Sequence, residues 1–210
     1  MIRLFDLGMI AFDDALRVQE EAVAEIAAGG EERLLLLEHP PVYTIGSGGQ
    51  IGNLIDPAVT AVRVNRGGDV TFHGPGQLVG YPLLDLSRRG RDLHLYLRCL
   101  EAFLVEISTC FGVAAHTVAG RTGVWSAGGK LASVGVGVRR WVTMHGFALN
   151  VANDLAPFRL INPCGIIDCP LTSLSLERGR GATVSQVKQE VGARFEGAVS
   201  ERLALRDVSW

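Results

Sequence analysis

The chain has 210 residues, 48% hydrophobic and 20% charged, with a formal net charge of -2. That composition is one of a globular protein, and a single domain over residues 1–210 is the simplest reading. The acidic balance argues against bulk nucleic-acid binding. No apolar run is long enough to cross a bilayer. The start Met1-Ile2-Arg3-Leu4-Phe5-Asp6 lacks the layout of a signal peptide, so a cytoplasmic protein is expected.

Taken in chain order, Asp13 to Ala28 has helical periodicity, with Phe12, Leu16, Val23 and Ile26 near one face and Gly29-Gly30 as its stop. Leu34 to Leu37 is an apolar run of the buried-strand type, broken by Pro40-Pro41, and Val42 to Ile45 is a second extended piece. Gly46 to Gly52 holds four glycines and must be a loop. Val59 to Asn65, Val70 to His73 and Gln77 to Leu84 read as strands, the last two split by the turn Gly74-Pro75-Gly76. Asp92 to Phe111 is the clearest helix, with Leu93, Tyr96, Leu100, Phe103, Leu104, Ile107 and Phe111 on its apolar face. Gly123 to Ser126, Leu131 to Val138 and Trp141 to Val151 read as strands, with a turn at Arg139-Arg140. Asn153 to Thr172 is irregular. A last helix starts at Thr183, whose spacing to Gln186 has capping-box form. Strands outnumber helices without alternating strictly with them, so the fold class is α+β with a mixed or antiparallel sheet flanked by helices.

Four cysteines, Cys99, Cys110, Cys164 and Cys169, show neither CxxC spacing nor a four-ligand zinc pattern. Cys99 and Cys110 lie on the helical face and read as inert core thiols. Cys164 stands between Pro163 and Gly165, a rigid turn open to a substrate, and Cys169 stands beside Asp168, which disfavours a thiolate. Cys164 is therefore the better nucleophile candidate. Positive charge is carried almost wholly by arginine; Lys130 and Lys188 are the only lysines. Lys130 opens a strand of small and apolar residues, where it is either paired and buried or snorkelling at an edge. Arg66-Gly67-Gly68-Asp69 lies between strands and admits two readings, a bare turn or a backbone that closes on a ligand. No GK[ST] follows it, so it is not a P-loop.

Three blocks together carry a resemblance: Arg66-Gly67-Gly68-Asp69-Val70-Thr71-Phe72-His73-Gly74-Pro75-Gly76-Gln77, Gly123 to Gly135 around Lys130, and Pro163-Cys164-Gly165 through Thr172-Ser173-Leu174. With Glu38 to Gly46 and Arg139 to Val151, they resemble the lipoyl(octanoyl) transferase family from about Leu34 to Leu174. Leu131 departs from a commoner isoleucine, Ile166 to Leu171 is a variable loop, and Gly46 to Gly52 is less typical.

The resemblance implies the fold of the biotin and lipoate protein ligases. It implies transfer of octanoyl from octanoyl-acyl carrier protein, through a thioester on Cys164 activated by Lys130, to a lysine of lipoyl domains. Such domains belong to 2-oxoacid dehydrogenase subunits and the glycine-cleavage carrier protein. It implies an acyl pocket from Arg66, Gly67, Gly68, Asp69, Val70, Thr71, Phe72 and His73, from Ser133, Val134 and Gly135, and from Gly146, Phe147 and Ala148. No cofactor, metal, nucleic acid or membrane is expected, and a monomer is. An ammonium about 4 Å from a thiolate stabilises it by on the order of 4 kcal/mol at an effective dielectric near 20, so one lysine suffices. Burying about six methylenes at roughly 0.8 kcal/mol each contributes about 5 kcal/mol. His73 and His145 are expected to shape loops by hydrogen bonding rather than to act as bases. Arg88, Arg89, Arg91, Arg139 and Arg140 form the densest basic clusters and are expected to dock an acidic carrier. An ATP-dependent lipoate or biotin ligase, an amidotransferase using another lipoyl-bearing donor, and a carrier-binding module are the competing readings.

Overall fold

The computed structural model describes residues 1–205. Ten strands and four helices form two sheets with helices on both faces of the larger one. The strands are β1 (Ile2–Met9), β2 (Glu32–Glu38), β3 (Val42–Ile45), β4 (Ala61–Arg63), β5 (Val70–His73), β6 (Gln77–Leu83), β7 (His116–Val118), β8 (Arg121–Ser126), β9 (Gly129–Arg139) and β10 (Val142–Asn150). The helices are α1 (Phe12–Ala27), α2 (Leu93–Cys110), α3 (Leu174–Arg178) and α4 (Val184–Arg202). The seven-stranded sheet has the order β1-β2-β6-β10-β9-β8-β7, and the three-stranded sheet β4-β3-β5. β1–β2 and β3–β4 are parallel and every other pairing is antiparallel, which is the mixed α+β sheet expected.

The side-chain alternation of the central strands explains the layering. Leu35 and Leu37, Val79 and Tyr81, and Ala148 point to one face and meet Ala15, Val23 and Ile26 of α1. Leu34 and Leu36, Leu78, and Phe147 and Leu149 point to the other and meet Phe103 and Leu104 of α2 and Val191 and Phe195 of α4. Because β2, β6 and β10 are covered on both faces, their sequences read as near-continuous apolar runs. Asp92 caps α2 through the Leu95 amide, and Thr183 and Gln186 form the expected capping box on α4.

Several expectations are corrected. β1 carried no strand signal because a bulge between Asp6 and Gly8 breaks its alternation and much of it is exposed at the sheet edge. β7 and α3 span three and five residues, too short for periodicity to show. The extended piece over 59–65 shrinks to Ala61–Arg63. Trp141 leaves the strand and joins Arg140 in the turn, both in left-handed conformations. Cys110 is not a core thiol. It ends α2 and is exposed, while Phe111 turns back onto the core. Arg89 leaves the proposed basic cluster, because it is buried in an ion pair with Glu32. No helix among the described residues is long and apolar enough to cross a membrane.

Candidate active site

The segment from Asn162 to Thr172 crosses the end of β9 and is stitched to it. The Lys130 amide donates to the Pro170 carbonyl at 2.8 Å, and the Thr172 amide donates to the Lys130 carbonyl at 3.1 Å. From Asn150 on β10, Nδ2 donates to the Thr172 carbonyl at 3.0 Å. This pairing brings two side chains 34 positions apart into contact: Lys130 Nζ donates to Cys164 Sγ at 2.8 Å. Lys130 is 1% exposed, so the buried reading of this lysine holds and the snorkelling one does not. Its ammonium also lies over the Trp125 ring at 5.2 Å, a favourable cation–π position.

Room for that lysine comes from β8. A Cβ at Gly123 would stand 3.0 Å from Lys130 Cε and 2.6 Å from the Ala132 carbonyl, at a φ of +126° that side chains rarely adopt. The buried Glu101 carboxylate holds the Gly123 amide at 2.8 Å. Cys164 itself takes left-handed angles, φ 56° and ψ 26°, inside a single 3-10 turn. That conformation costs a non-glycine residue about 1–2 kcal/mol. It is held by the Gly165 amide on the Asn162 carbonyl and the Ile166 amide on the Pro163 carbonyl. Strain of this kind collects where a side chain must be presented.

The Gly46–Gly52 loop, from which the sequence permitted little inference, supports this turn. The Asn53 carbonyl accepts from the Asn162 amide at 2.8 Å, and Asn53 Nδ2 donates to Asp69 Oδ2 at 2.7 Å. Asp69 also accepts from the Gln50 amide. Asp69 therefore ties the arginine-glycine loop to Gln50 and Asn53, and Asn53 in turn holds the cysteine loop; Asp69 is not among the residues lining the cleft. No sequence signal marked Asn53.

Cys164 opens on a narrow apolar cleft, while Asn162 and Pro163 face a separate open groove of about 800 Å³. Of the expected pocket residues, Arg66, Gly68, Thr71, His73, Ser133, Val134, Gly135, Gly146, Phe147 and Ala148 line the cleft. Gly67, Val70 and Phe72 do not. Gly67 bonds the Val136 carbonyl, and Val70 and Phe72 point into a small core with Phe158 and Ile161. Three residues not expected there also line it: Phe12, Tyr81 and His145. Arg66 is buried, with Nη2 on the Thr44 carbonyl and hydroxyl and Nη1 on the Gly67 carbonyl. Burial disfavours its charge, and Cys164 and Tyr81 favour it.

His39, His73 and His145 are neutral members of one aromatic cluster. Burial pushes His73 down to about 3, helped by His39, and His145 down to about 4, helped by Arg66. His39 is lowered by burial too, so its Nδ1–H donates to the Ile10 carbonyl and its Nε2 accepts from the Tyr81 hydroxyl. Their folded values lie below the unfolded 6.5, so the unfolded chain binds protons first and stability falls as pH drops below 6.5. His73 and His145 each contribute a slope approaching about 1.4 kcal/mol per pH unit. Urea unfolding is expected to show a steep loss between pH 6.5 and 5, above the carboxylate range. A flat profile there would contradict neutral, buried histidines.

Comparison with known proteins places this geometry. Residues 12–196 match the family model described as the lipoyl protein ligase A/B catalytic domain. An octanoyltransferase of Citrifermentans bemidjiense is 66% identical over 191 residues, 91% of this chain and 94% of its own. Among solved structures, LipL1 of P. falciparum in complex with lipoate has a TM-score of 0.71 at 13% identity, covering all of this chain and 65% of that one. Biotin protein ligase from Aquifex aeolicus has a TM-score of 0.57 at 15% identity, covering 95% of this chain and 69% of that one, a likeness of fold. The chain belongs to the lipoyl protein ligase A/B catalytic domain family, among its octanoyltransferases.

Proposed function

We propose that this chain, as one catalytic domain, transfers an octanoyl group from octanoyl-acyl carrier protein to a lysine of a lipoyl domain through a thioester on Cys164. The observation that carries the reading is the 2.8 Å contact between Lys130 Nζ and Cys164 Sγ at the mouth of an apolar cleft. The Cys164 thiolate, with the Lys130 ammonium beside it, attacks the carbonyl carbon of the donor thioester. The C–S bond to the carrier breaks, and Lys130 gives its proton to the departing carrier thiolate. The amine of the incoming lysine then attacks the Cys164 thioester. Neutral Lys130 takes the proton from that amine, Cys164 leaves as a thiolate, and the ion pair is restored.

Thioester exchanges for thioester at little cost and amide formation is downhill, so the cycle needs no ATP. A ligase that activates its acid as an adenylate needs no cysteine nucleophile, and the presented Cys164 favours transfer. Purified protein mixed with octanoyl-carrier protein and a lipoyl domain, without nucleotide, is expected to octanoylate the domain's lysine. Strict dependence on ATP with free octanoate as donor would overturn the proposal in favour of a ligase.

A further inference from the structure

The cleft beside Cys164 crosses the large sheet rather than running along a strand. Ser133 of β9 pairs with Ala148 of β10, and Ala148 with Val79 of β6. One side-chain level on, Gly135 pairs with Gly146, and the Phe147–Gly80 pair puts Tyr81 at the level of Gly146. All six share the face on which α1 packs, since alternate residues of a strand point the same way. The two rows thus read Ser-Ala-Val and Gly-Gly-Tyr, small over β9 and β10 and large at β6. The Arg66 stem closes over the second row of the floor, its Cδ lying 3.2 Å from where a Gly135 Cβ would stand.

Neighbouring strands are about 4.8 Å apart, so β6 lies about 10 Å from β9. An extended eight-carbon chain spans about 9 Å, from a zigzag of roughly 1.5 Å bonds. On the β6 side of the cleft stands Tyr81, part of an aromatic group. Phe12, the first residue of α1, lies 5.3 Å from the His39 ring and stacks on His145 at 6.5 Å. Tyr81 lies 6.0 Å from His145, and its hydroxyl is held by His39. Phe12, Tyr81 and His145 line the cleft and all are buried. Tyr81 is fixed by its strand and its hydrogen bond. Phe12 has neither, and Ala11 before it makes no side-chain cap.

We infer that Phe12, backed by His39 and Tyr81, is the end wall that sets the accepted acyl chain at about eight carbons. The inference rests on the proposed acyl transfer and names the residue that measures its substrate. Shortening Phe12 leaves the reacting pair and the mouth of the cleft in place and lengthens the far end.

The test compares acylation of Cys164 by octanoyl-, decanoyl- and dodecanoyl-carrier protein, followed by intact mass at early times, in the full-length protein. Phe12→Ala is expected to raise the dodecanoyl-to-octanoyl rate ratio about tenfold or more, the discrimination that a methylene or two commands in an apolar pocket. Phe12→Leu keeps most of the packing of α1 and is expected to shift the ratio the same way by a smaller factor. It decides the matter if Phe12→Ala does not fold. A folded variant that takes up octanoyl with the wild-type ratio would overturn the end wall alone. Wild-type protein that takes up no acyl group from any of the three donors would overturn the acyl-transfer reading, and the end wall with it.

Discussion

Cys164→Ser is expected to abolish acyl capture, with transfer to the lysine acceptor falling at least about 10³-fold, as when a covalent route loses its nucleophile. A serine hydroxyl there has an ammonium for a neighbour and no base, so it stays protonated and unreactive. The other thiols are expected not to substitute. Cys99 is buried against α4, and burial pushes its thiol up to about 11. Cys110 is exposed at the end of α2, away from the cleft. Cys169 is the instructive control. It lies on the same loop but faces the groove, and burial raises its thiol, with Lys130 opposing and Cys164 adding to the rise. Burial is the main cause, and the neighbouring Asp168 carboxylate, expected from the sequence to raise it, is not one of the causes. Cys169→Ser should keep the mass gain of one octanoyl group. Intact mass after incubation with octanoyl-carrier protein reads both variants, and a stable acyl adduct on Cys164→Ser would sink the assignment.

Substitution of Lys130 separates charge from proton transfer. At about 3 Å and an effective dielectric near 20, an ammonium stabilises a thiolate by about 5 kcal/mol. Lys130→Met removes that interaction, so alkylation of Cys164 by iodoacetamide at neutral pH should slow by about tenfold or more. Octanoyl transfer should be lost as well. Lys130→Arg keeps the charge, and alkylation should stay fast. A guanidinium holds its proton, however, and cannot take one from the attacking amine. Single-turnover transfer to the lysine acceptor should therefore fall by about 10²–10⁴, the usual contribution of a positioned base. Circular dichroism must accompany the arginine variant, because Gly123 leaves space for a lysine and the planar fork is bulkier. Wild-type transfer by Lys130→Arg would refute the proton role. Unchanged alkylation in Lys130→Met would refute the pairing.

Local pattern sufficed for much of this protein. The apolar runs of β2, β6 and β10, the stripe of α2 and the Thr183–Gln186 cap are short-range features, and the backbone obeys them. The turn setting of Cys164 and the isolation of Lys130 among arginines were also visible in the chain, because residue type and immediate neighbours carry that chemistry. What joins them was not. The contact between positions 130 and 164 depends on an irregular loop adding itself to the edge of β9 through two backbone hydrogen bonds, which no periodicity encodes. Asn53 and Glu101 likewise act only across distant pairings. Phe12 looked like one more apolar residue on a helical face. Only the crossing of β9, β10 and β6 beneath the first turn of α1 turns it toward the cleft, because which face of a strand or helix meets which cavity is decided by packing between elements, and local sequence does not specify it.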